Sequence, residues 1–357
     1  MKNQYKVPCF EAVYEIDNLY TAWYKVTLGK SSKSSIRDFQ RNIDQNLSSI
    51  ANDLRNGTYQ PGAYNHFLIK DPKERIIAAS PVRDRVVHHA IMNLYSENFD
   101  RHLIYDSYAC RIGKGTHKAV LRAFHFAKSS RYFLKMDVRK YFDSIDHATL
   151  KMLLAKIITD EKVLGLFCLI ISSAENVCKK GIPIGSLTSQ YFANFYLSSF
   201  DHYFKEQCRA KHYIRYMDDI IIFSNDRSEI DDLFFRAVDF ARKKLELNLK
   251  PKICGRVNDG VPFLGFLVKP NGIFLQQKTK KRYKARLAEI EYKRKNQLLS
   301  DEEASSRIEA VTAHLLIAQS RNFRNNVLHR CFFGDEPRES RGELEQQCRE
   351  FAFCPAE

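Results

Sequence analysis

The sequence predicts an α+β fold, and three observations carry that prediction. Apolar residues recur at helical spacing over several stretches, strand-like runs lie among them without regular strand–helix–strand alternation, and two β-rich arms flank the acidic pair Asp218-Asp219 as in an antiparallel hairpin. A doubly wound parallel sheet would need the alternation that is missing. With 357 residues the chain can bury one large core, or two to three packed subdomains, without help from disulfides.

In chain order, Phe39, Ile43, Leu47, Ile50 and Leu54 follow one another at steps of four and three, predicting an amphipathic helix that Asn56-Gly57 stops. Gly57-Thr58-Tyr59-Gln60-Pro61-Gly62 then leads into a short strand around Phe67-Leu68-Ile69, and the charged run from Lys70 to Arg75 predicts a hairpin tip. Helical periodicity resumes over 81–98 and 116–127, and 131–138 reads as a strand. The longest apolar run, 163–171, falls far short of the roughly 20 residues that span a bilayer, so it predicts a buried helix. Residues 211–217 and 220–223 form the two arms around Asp218-Asp219, 230–245 is helical by spacing, and 261–268 is an apolar strand pair or hairpin. From Lys278 to Lys295 there are nine Lys or Arg against Glu289 and Glu291, on good helix formers. That stretch is either a solvated charged helix or a phosphate-tracking surface. Beyond Gly334 the balance reverses into an acidic tail.

Lys and Arg number 57 against 42 Asp and Glu, a formal charge of +15, which calls for a polyanionic partner. Nucleic acid and an acidic membrane surface both answer that description. The start of the chain lacks an apolar signal segment and no run spans a bilayer, so the expected location is the cytoplasm, with no membrane partner. Nine scattered cysteines without a Cys-x-x-Cys pair read as free, reduced thiols rather than a zinc site.

Nucleotidyl transfer needs two divalent cations about 4 Å apart, held by hard carboxylate oxygens that converge from separate strands. Asp137 ends one predicted strand and Asp218-Asp219 lies between two others. Read with their flanks, these residues resemble reverse transcriptases. Asp137-Val138-Arg139-Lys140-Tyr141-Phe142 is similar to the Asp-x-x-x-x-Phe/Tyr strand that supplies the first metal ligand, and Tyr216-Met217-Asp218-Asp219 to the acidic hairpin. Arg75-Ile76-Ile77-Ala78-Ala79-Ser80-Pro81-Val82-Arg83-Asp84-Arg85 resembles a fingers motif, Ser107-Tyr108-Ala109-Cys110-Arg111 with Gly113-Lys114-Gly115-Thr116 the next, Leu247-Asn248-Leu249-Lys250-Pro251-Lys252 a lysine motif, and Phe263-Leu264-Gly265-Phe266 a primer grip.

Within the family, Gly181-Ile182-Pro183-Ile184-Gly185-Ser186-Leu187-Thr188-Ser189-Gln190 places Ile184 where intron-encoded and retron enzymes commonly have Gln. That form resembles the reverse transcriptases of diversity-generating retroelements, which are related to the group II intron enzymes.

The resemblance implies a right-hand polymerase: fingers with an N-terminal segment over 1–130, an interleaved palm over 131–270, a basic helical thumb over 271–333 and the acidic tail over 334–357. It implies catalysis by Asp137, Asp218 and Asp219 on two Mg²⁺ ions, with Mn²⁺ as a substitute and the Val138 backbone as a further ligand. Lys70, Arg75, Phe142, Ile184, Gly185 and Lys252 would contact the dNTP, Phe142 as a steric gate against the ribose 2′-hydroxyl; Lys250 competes with Lys252 for a role at pyrophosphate. Arg111, Ser189, Gln190, Tyr216, Met217, Leu264, Gly265, Lys280, Lys281 and Arg282 would contact nucleic acid. The implied partners are an RNA template, a primer or growing cDNA, dNTPs and a small accessory protein. The implied product is cDNA misincorporated opposite template adenines, and Ile184, unable to hydrogen-bond, would loosen the nascent pair unless it simply packs against the following helix. A group II intron-like enzyme with another role, and a non-catalytic nucleic-acid-binding module, are the alternatives.

Overall fold

Leu19, Ala22, Trp23 and Val26 recur at three- and four-residue steps and form the buried face of the first long helix, α1 (Ile16–Thr27). It precedes α2 (Ser34–Arg41) and α3 (Ile43–Asn56) in a computed structural model that describes residues 8–70, 74–173 and 179–332. The helix expected from Phe39 onward is therefore two helices. Asn42 leaves helical geometry (φ −126°, ψ 44°) between them. At the other end Gly57 stops α3 as expected, in the left-handed region at φ 69°, while Thr58 N–H reaches back to the Asp53 carbonyl at 2.9 Å.

A two-stranded hairpin follows, β1 (Asn65–Ile69) on β2 (Arg75–Ala79); residues 71–73 of its expected tip lie outside the described residues. Next, α4 (Val82–Arg101) buries side chains on nearly all sides along its first half, as a helix sandwiched between neighbours must, and it packs on α1 and α9. Then come α5 (Thr116–Ala127), β3 (Tyr132–Asp137), the single turn α6 (Tyr141–Ser144), α7 (His147–Ala155), α8 (Glu161–Ser172), α9 (Leu187–Tyr196) and α10 (Ser198–His202), which runs into a π-helical turn. The apolar run at 163–171 is indeed helical, and Asp160 caps its helix by accepting from Lys162 and Val163 N–H. β4 (His212–Tyr216), β5 (Asp219–Ser224), α11 (Arg227–Leu245) and β6 (Ile253–Arg256) complete an antiparallel sheet in the order β4-β5-β3-β6.

The register fixes the two faces of that sheet. Met136 pairs with Ile220 and Leu134 with Ile222, and all four belong to the continuous core formed with α4, α7, α8, α9 and α11. Because strand side chains alternate, Lys135 and Asp137 point to the opposite face. This first compact unit ends at Asp259.

The second unit starts at Gly260 and holds the meander β7 (Val261–Phe263), β8 (Phe266–Lys269), β9 (Gly272–Leu275) with helices α12 (Gln277–Lys295), α13 (Asp301–Ala313) and α14 (Arg321–Phe332). The 261–268 hairpin thus groups with the basic helix. Ser300 and Glu303 close a capping box on α13. The acidic tail lies outside the described residues. No described helix is long and apolar enough to cross a membrane.

Candidate active site

Asp137 pairs directly with Asp219 across β3 and β5, so the two carboxylates leave adjacent strands on the face away from the core. Tyr216 pairs with Asp219, which makes Met217-Asp218 a two-residue turn. The sequence reading put both aspartates in the turn. The pairing instead makes Asp219 the first residue of β5, and only Asp218 rides on the turn, whose Met217 occupies the left-handed region at φ 55°.

Two lysines attend these carboxylates. Lys250 Nζ lies 2.6 Å from Asp137 Oδ1, and its own N–H donates to the Asp137 carbonyl at 2.8 Å, which anchors it there. Lys135 Nζ donates to Asp219 Oδ2 at 2.9 Å. Asp219 Oδ1 is buried without a hydrogen-bond partner. Burial pushes the Asp219 acid up to about 6, with Lys135 opposing and Asp137 and Asp218 adding to the rise. Burial, and then the charge of Asp137, likewise raise Asp218, while Lys250 and Arg75 pull it back.

Among the described residues no three acidic, histidine or cysteine side chains close on one point as a ready-made metal cage. The donor set nevertheless fits a divalent cation: three hard carboxylates at the adjoining ends of β3 and β5, the charged forms of Asp218 and Asp219 disfavoured by burial, with one buried oxygen lacking any partner.

The other expected residues divide. Val138 is buried and bridges to Leu249, beside the pair. Phe142 is half-buried against the core, edge-on to Tyr141 at 5.9 Å, and its carbonyl accepts from Ile182. Ile184 is half-buried, and its carbonyl accepts the Ala78 N–H at 3.0 Å, so the loop carrying it is stitched to β2. Gly185, at φ 116°, lies so close to Ile77 that a Cβ would sit 2.8 Å from Ile77 Cγ2. Lys70 and Arg75 are exposed on the hairpin, and Arg75 is close enough to act on Asp218.

Lys252 turns elsewhere. Its Nζ lies 2.5 Å from Asp231 on α11 and 5.1 Å from the Phe234 ring centroid, so the structure brings Lys250 to the carboxylates and leaves Lys252 on the helix. Arg111 is also committed to the protein: it grips both oxygens of Asp100 and the carbonyls of Ile104 and Ser107, with its side chain only 10% exposed. Ser189 is buried within α9, whereas Gln190 is exposed. Tyr216 shares a hydrogen bond with Thr116 at 3.2 Å, and Met217 packs against the core.

In the second unit Leu264 (φ 48°) and Gly265 (φ 91°) form the tight β7–β8 turn, and the Gly265 carbonyl accepts from Thr279 on α12. Lys281 and Arg282 are exposed, and Lys280 is partly buried near the Phe323 ring.

Sequence reading missed Lys135, Arg215, Asp201 and Asn194. Lys135 was legible, because a residue two before Asp137 on a strand must share its face. Arg215 had a signal too, since it stands opposite Ile220 on the core face and a charge there demands a buried partner. The partner, Asp201, comes from a helix whose placement no local pattern reveals.

Comparison with known proteins bears on the family and the fold. The chain is 23% identical over 273 residues to the protein YkfC of Escherichia coli, covering 63% of this chain and 72% of that one. It is 24% identical over 185 residues to the group II intron-encoded protein LtrA of Lactococcus lactis, covering 49% of this chain and only 31% of LtrA. An apo telomerase from Candida tropicalis shares the fold at a TM-score of 0.50, with 11% identity over 76% of this chain and 60% of that one. The right-hand polymerase fold expected from the resemblance is thus the observed one. The family model for reverse transcriptase (RNA-dependent DNA polymerase) matches residues 69–268, which contain Asp137, Asp218, Asp219, Lys135 and Lys250, and the chain belongs to that family.

Proposed function

We propose that this chain extends a DNA primer on an RNA template, using Asp137, Asp218 and Asp219 to hold two Mg²⁺ ions, for which Mn²⁺ can substitute. The observation that carries the reading is the direct pairing of Asp137 with Asp219 across the two central strands, with Asp218 beside them on the turn and Asp219 Oδ1 buried and unpartnered. Such ions, when bound, activate the primer 3′-hydroxyl and stabilise charge on the transferring phosphate. The chain's own residues supply the rest. Lys250 beside Asp137 offers a cation at the pyrophosphate, Lys70 and Arg75 face the triphosphate from the hairpin, and Phe142 excludes the ribose 2′-hydroxyl. In this reading 1–130 supply the fingers, 131–270 the palm and 271–333 the thumb. The thumb's Lys280, Lys281 and Arg282, with the Leu264-Gly265 turn, track the primer–template. The protein works in the cytoplasm.

Within the family, Ile184-Gly185 followed by Ser189-Gln190 supports the enzyme of a diversity-generating retroelement, working with a small accessory protein and misincorporating opposite template adenine. The likeness to LtrA supports the second reading, an intron-type enzyme of ordinary fidelity. Primer extension on an RNA template tests the first step: Asp218→Asn should lose at least about 100-fold in rate, because a metal ligand is gone. It should melt no lower than wild type, since its charge is disfavoured in the fold. Extension by the mutant at the normal rate would refute the assignment. Error rates opposite adenine, compared between wild type and Ile184→Gln, then separate the two readings; equal rates would remove Ile184 from the fidelity argument.

A further inference from the structure

Among the described residues the largest fully buried side chain is a charged one, Arg215, and the Asp201 carboxylate facing it is buried as completely. All five N–H groups of the guanidinium are engaged. Nε donates to both oxygens of Asp201, at 2.7 and 2.9 Å, and Nη2 to Asp201 Oδ2 at 2.6 Å and the Asn194 carbonyl at 3.0 Å. Nη1 donates to the Asn194 side-chain oxygen at 2.9 Å and to the Met217 carbonyl at 3.1 Å.

A buried ion pair is a poor stabilising device, because desolvation offsets the attraction and apolar residues of equal volume often do as well. Its geometry is what distinguishes it. Met217 is held in the left-handed region, a strained place for a side chain of its size, and its carbonyl belongs to the peptide that carries Asp218. The arginine that grips this carbonyl is itself immobilised on every side. Its N–H donates to the Asp106 carbonyl and its C=O accepts from Tyr108, Asp201 accepts from the Tyr213 hydroxyl at 2.6 Å, and Asn194 Nδ2 donates to the Ala109 carbonyl at 2.8 Å.

We infer that Arg215, oriented by Asp201 and Asn194, is a positioning residue that fixes the Met217-Asp218 peptide and so aims the Asp218 carboxylate. The inference rests on the function proposed above. Two variants of the full chain remove the grip in different ways: Arg215→Lys keeps the charge without the fork, and Arg215→Met with Asp201→Leu deletes both buried charges at once. Tyr213→Phe is the control, because its hydroxyl touches Asp201 but not the turn.

For both Arg215 variants, Mn²⁺ binding to metal-free protein, read by electron paramagnetic resonance of the free ion, should weaken by about tenfold or more, as for loss of a group that orients a ligand. Their kcat should fall at least about 100-fold with the dNTP KM nearly unchanged, since a misplacement of about 1 Å costs that much. Tyr213→Phe should keep both within about twofold, losing one hydrogen bond away from the turn. If the double variant does not fold, Arg215→Lys decides. Wild-type Mn²⁺ affinity and kcat in a folded Arg215 variant would overturn the inference alone, as would a loss in Tyr213→Phe equal to that in Arg215→Lys. A wild-type protein that neither binds Mn²⁺ nor extends a primer would sink the functional reading and this inference with it.

Discussion

Replacing Gly185 by Ala should destabilise the contact between its loop and β2 by an amount that can be worked from two facts. The residue sits at φ 116°, where a side chain costs about 1–3 kcal/mol in backbone strain. The new Cβ would also lie 2.8 Å from Ile77 Cγ2 and 3.5 Å from the Ala78 carbonyl, so Ile77 must give way, adding about 1 kcal/mol of overpacking. Together these make about 2–4 kcal/mol, and at about 2–4 °C per kcal/mol for a unit of this size Tm should drop by roughly 4–16 °C. The strain falls where the Ile184 carbonyl holds β2 through Ala78, and Arg75 lies on the same face of β2 as Ile77, so the dNTP KM should rise with the loss of stability. Thermal unfolding followed by circular dichroism, with steady-state extension, reads both quantities. The double variant with Ile77→Ala separates the two causes. It should be less destabilised than the sum of the single variants by about 1 kcal/mol, since the clash is relieved and the backbone strain is not. A Gly185→Ala protein that melts within a degree of wild type, or strict additivity in the double variant, would refute the argument.

Phe142→Ala should admit ribonucleotides, read as the ratio of rNTP to dNTP incorporation; an unchanged ratio would return Phe142 to a packing role. Lys250→Met should slow extension about tenfold or more, as expected for a lost cation at the transferring phosphate. Lys252→Met should change the rate little and stability by less than about 1 kcal/mol, because its partner Asp231 lies on the half-exposed surface of α11; the reverse ranking would restore Lys252 to the site. Burial, with His89 beside it, pushes the His88 imidazole down to about 3. The unfolded chain therefore binds the proton first, and stability should fall as pH drops below about 6.5, by about 2 kcal/mol between pH 7 and pH 5. His88→Gln, which can keep the bond to Ser186, should remove about that much of the acid sensitivity in urea titrations, and an unchanged pH dependence would count against it.

Much of the fold could be read along the chain because its signals are local. The 116–127 helix was predicted to the residue, and Gly57 stops α3 by the left-handed conformation that glycine favours. Strand 131–138 and the two arms of the acidic hairpin were legible from their apolar runs. What escaped depends on partners distant in sequence. Lys250 and Lys252 look alike in sequence, and only the bridge of Leu249 to Val138 delivers one of them to Asp137. Arg111 looks like a cation for phosphate until Asp100 is found against it. The third strand of the small meander, β9, is four residues long and pairs only after a two-residue turn, too short a signal to separate from its neighbours.

The β1–β2 ribbon carries a further consequence. Every residue of β1 is exposed, and Phe67, Leu68, Ile69 and Ile76 all show apolar surface to solvent. A lone pair of strands is marginal in water. Its amides should therefore exchange with solvent deuterium early, through local opening, while those of β3 and β5, paired on both sides within the four-stranded sheet, should outlast them by orders of magnitude. Rigidity is graded across this molecule, firm under the carboxylates and loose at the ribbon that bears Arg75. Ligand that orders the ribbon would slow its exchange first, which makes those few amides a reporter of nucleotide engagement even when no bond is being made.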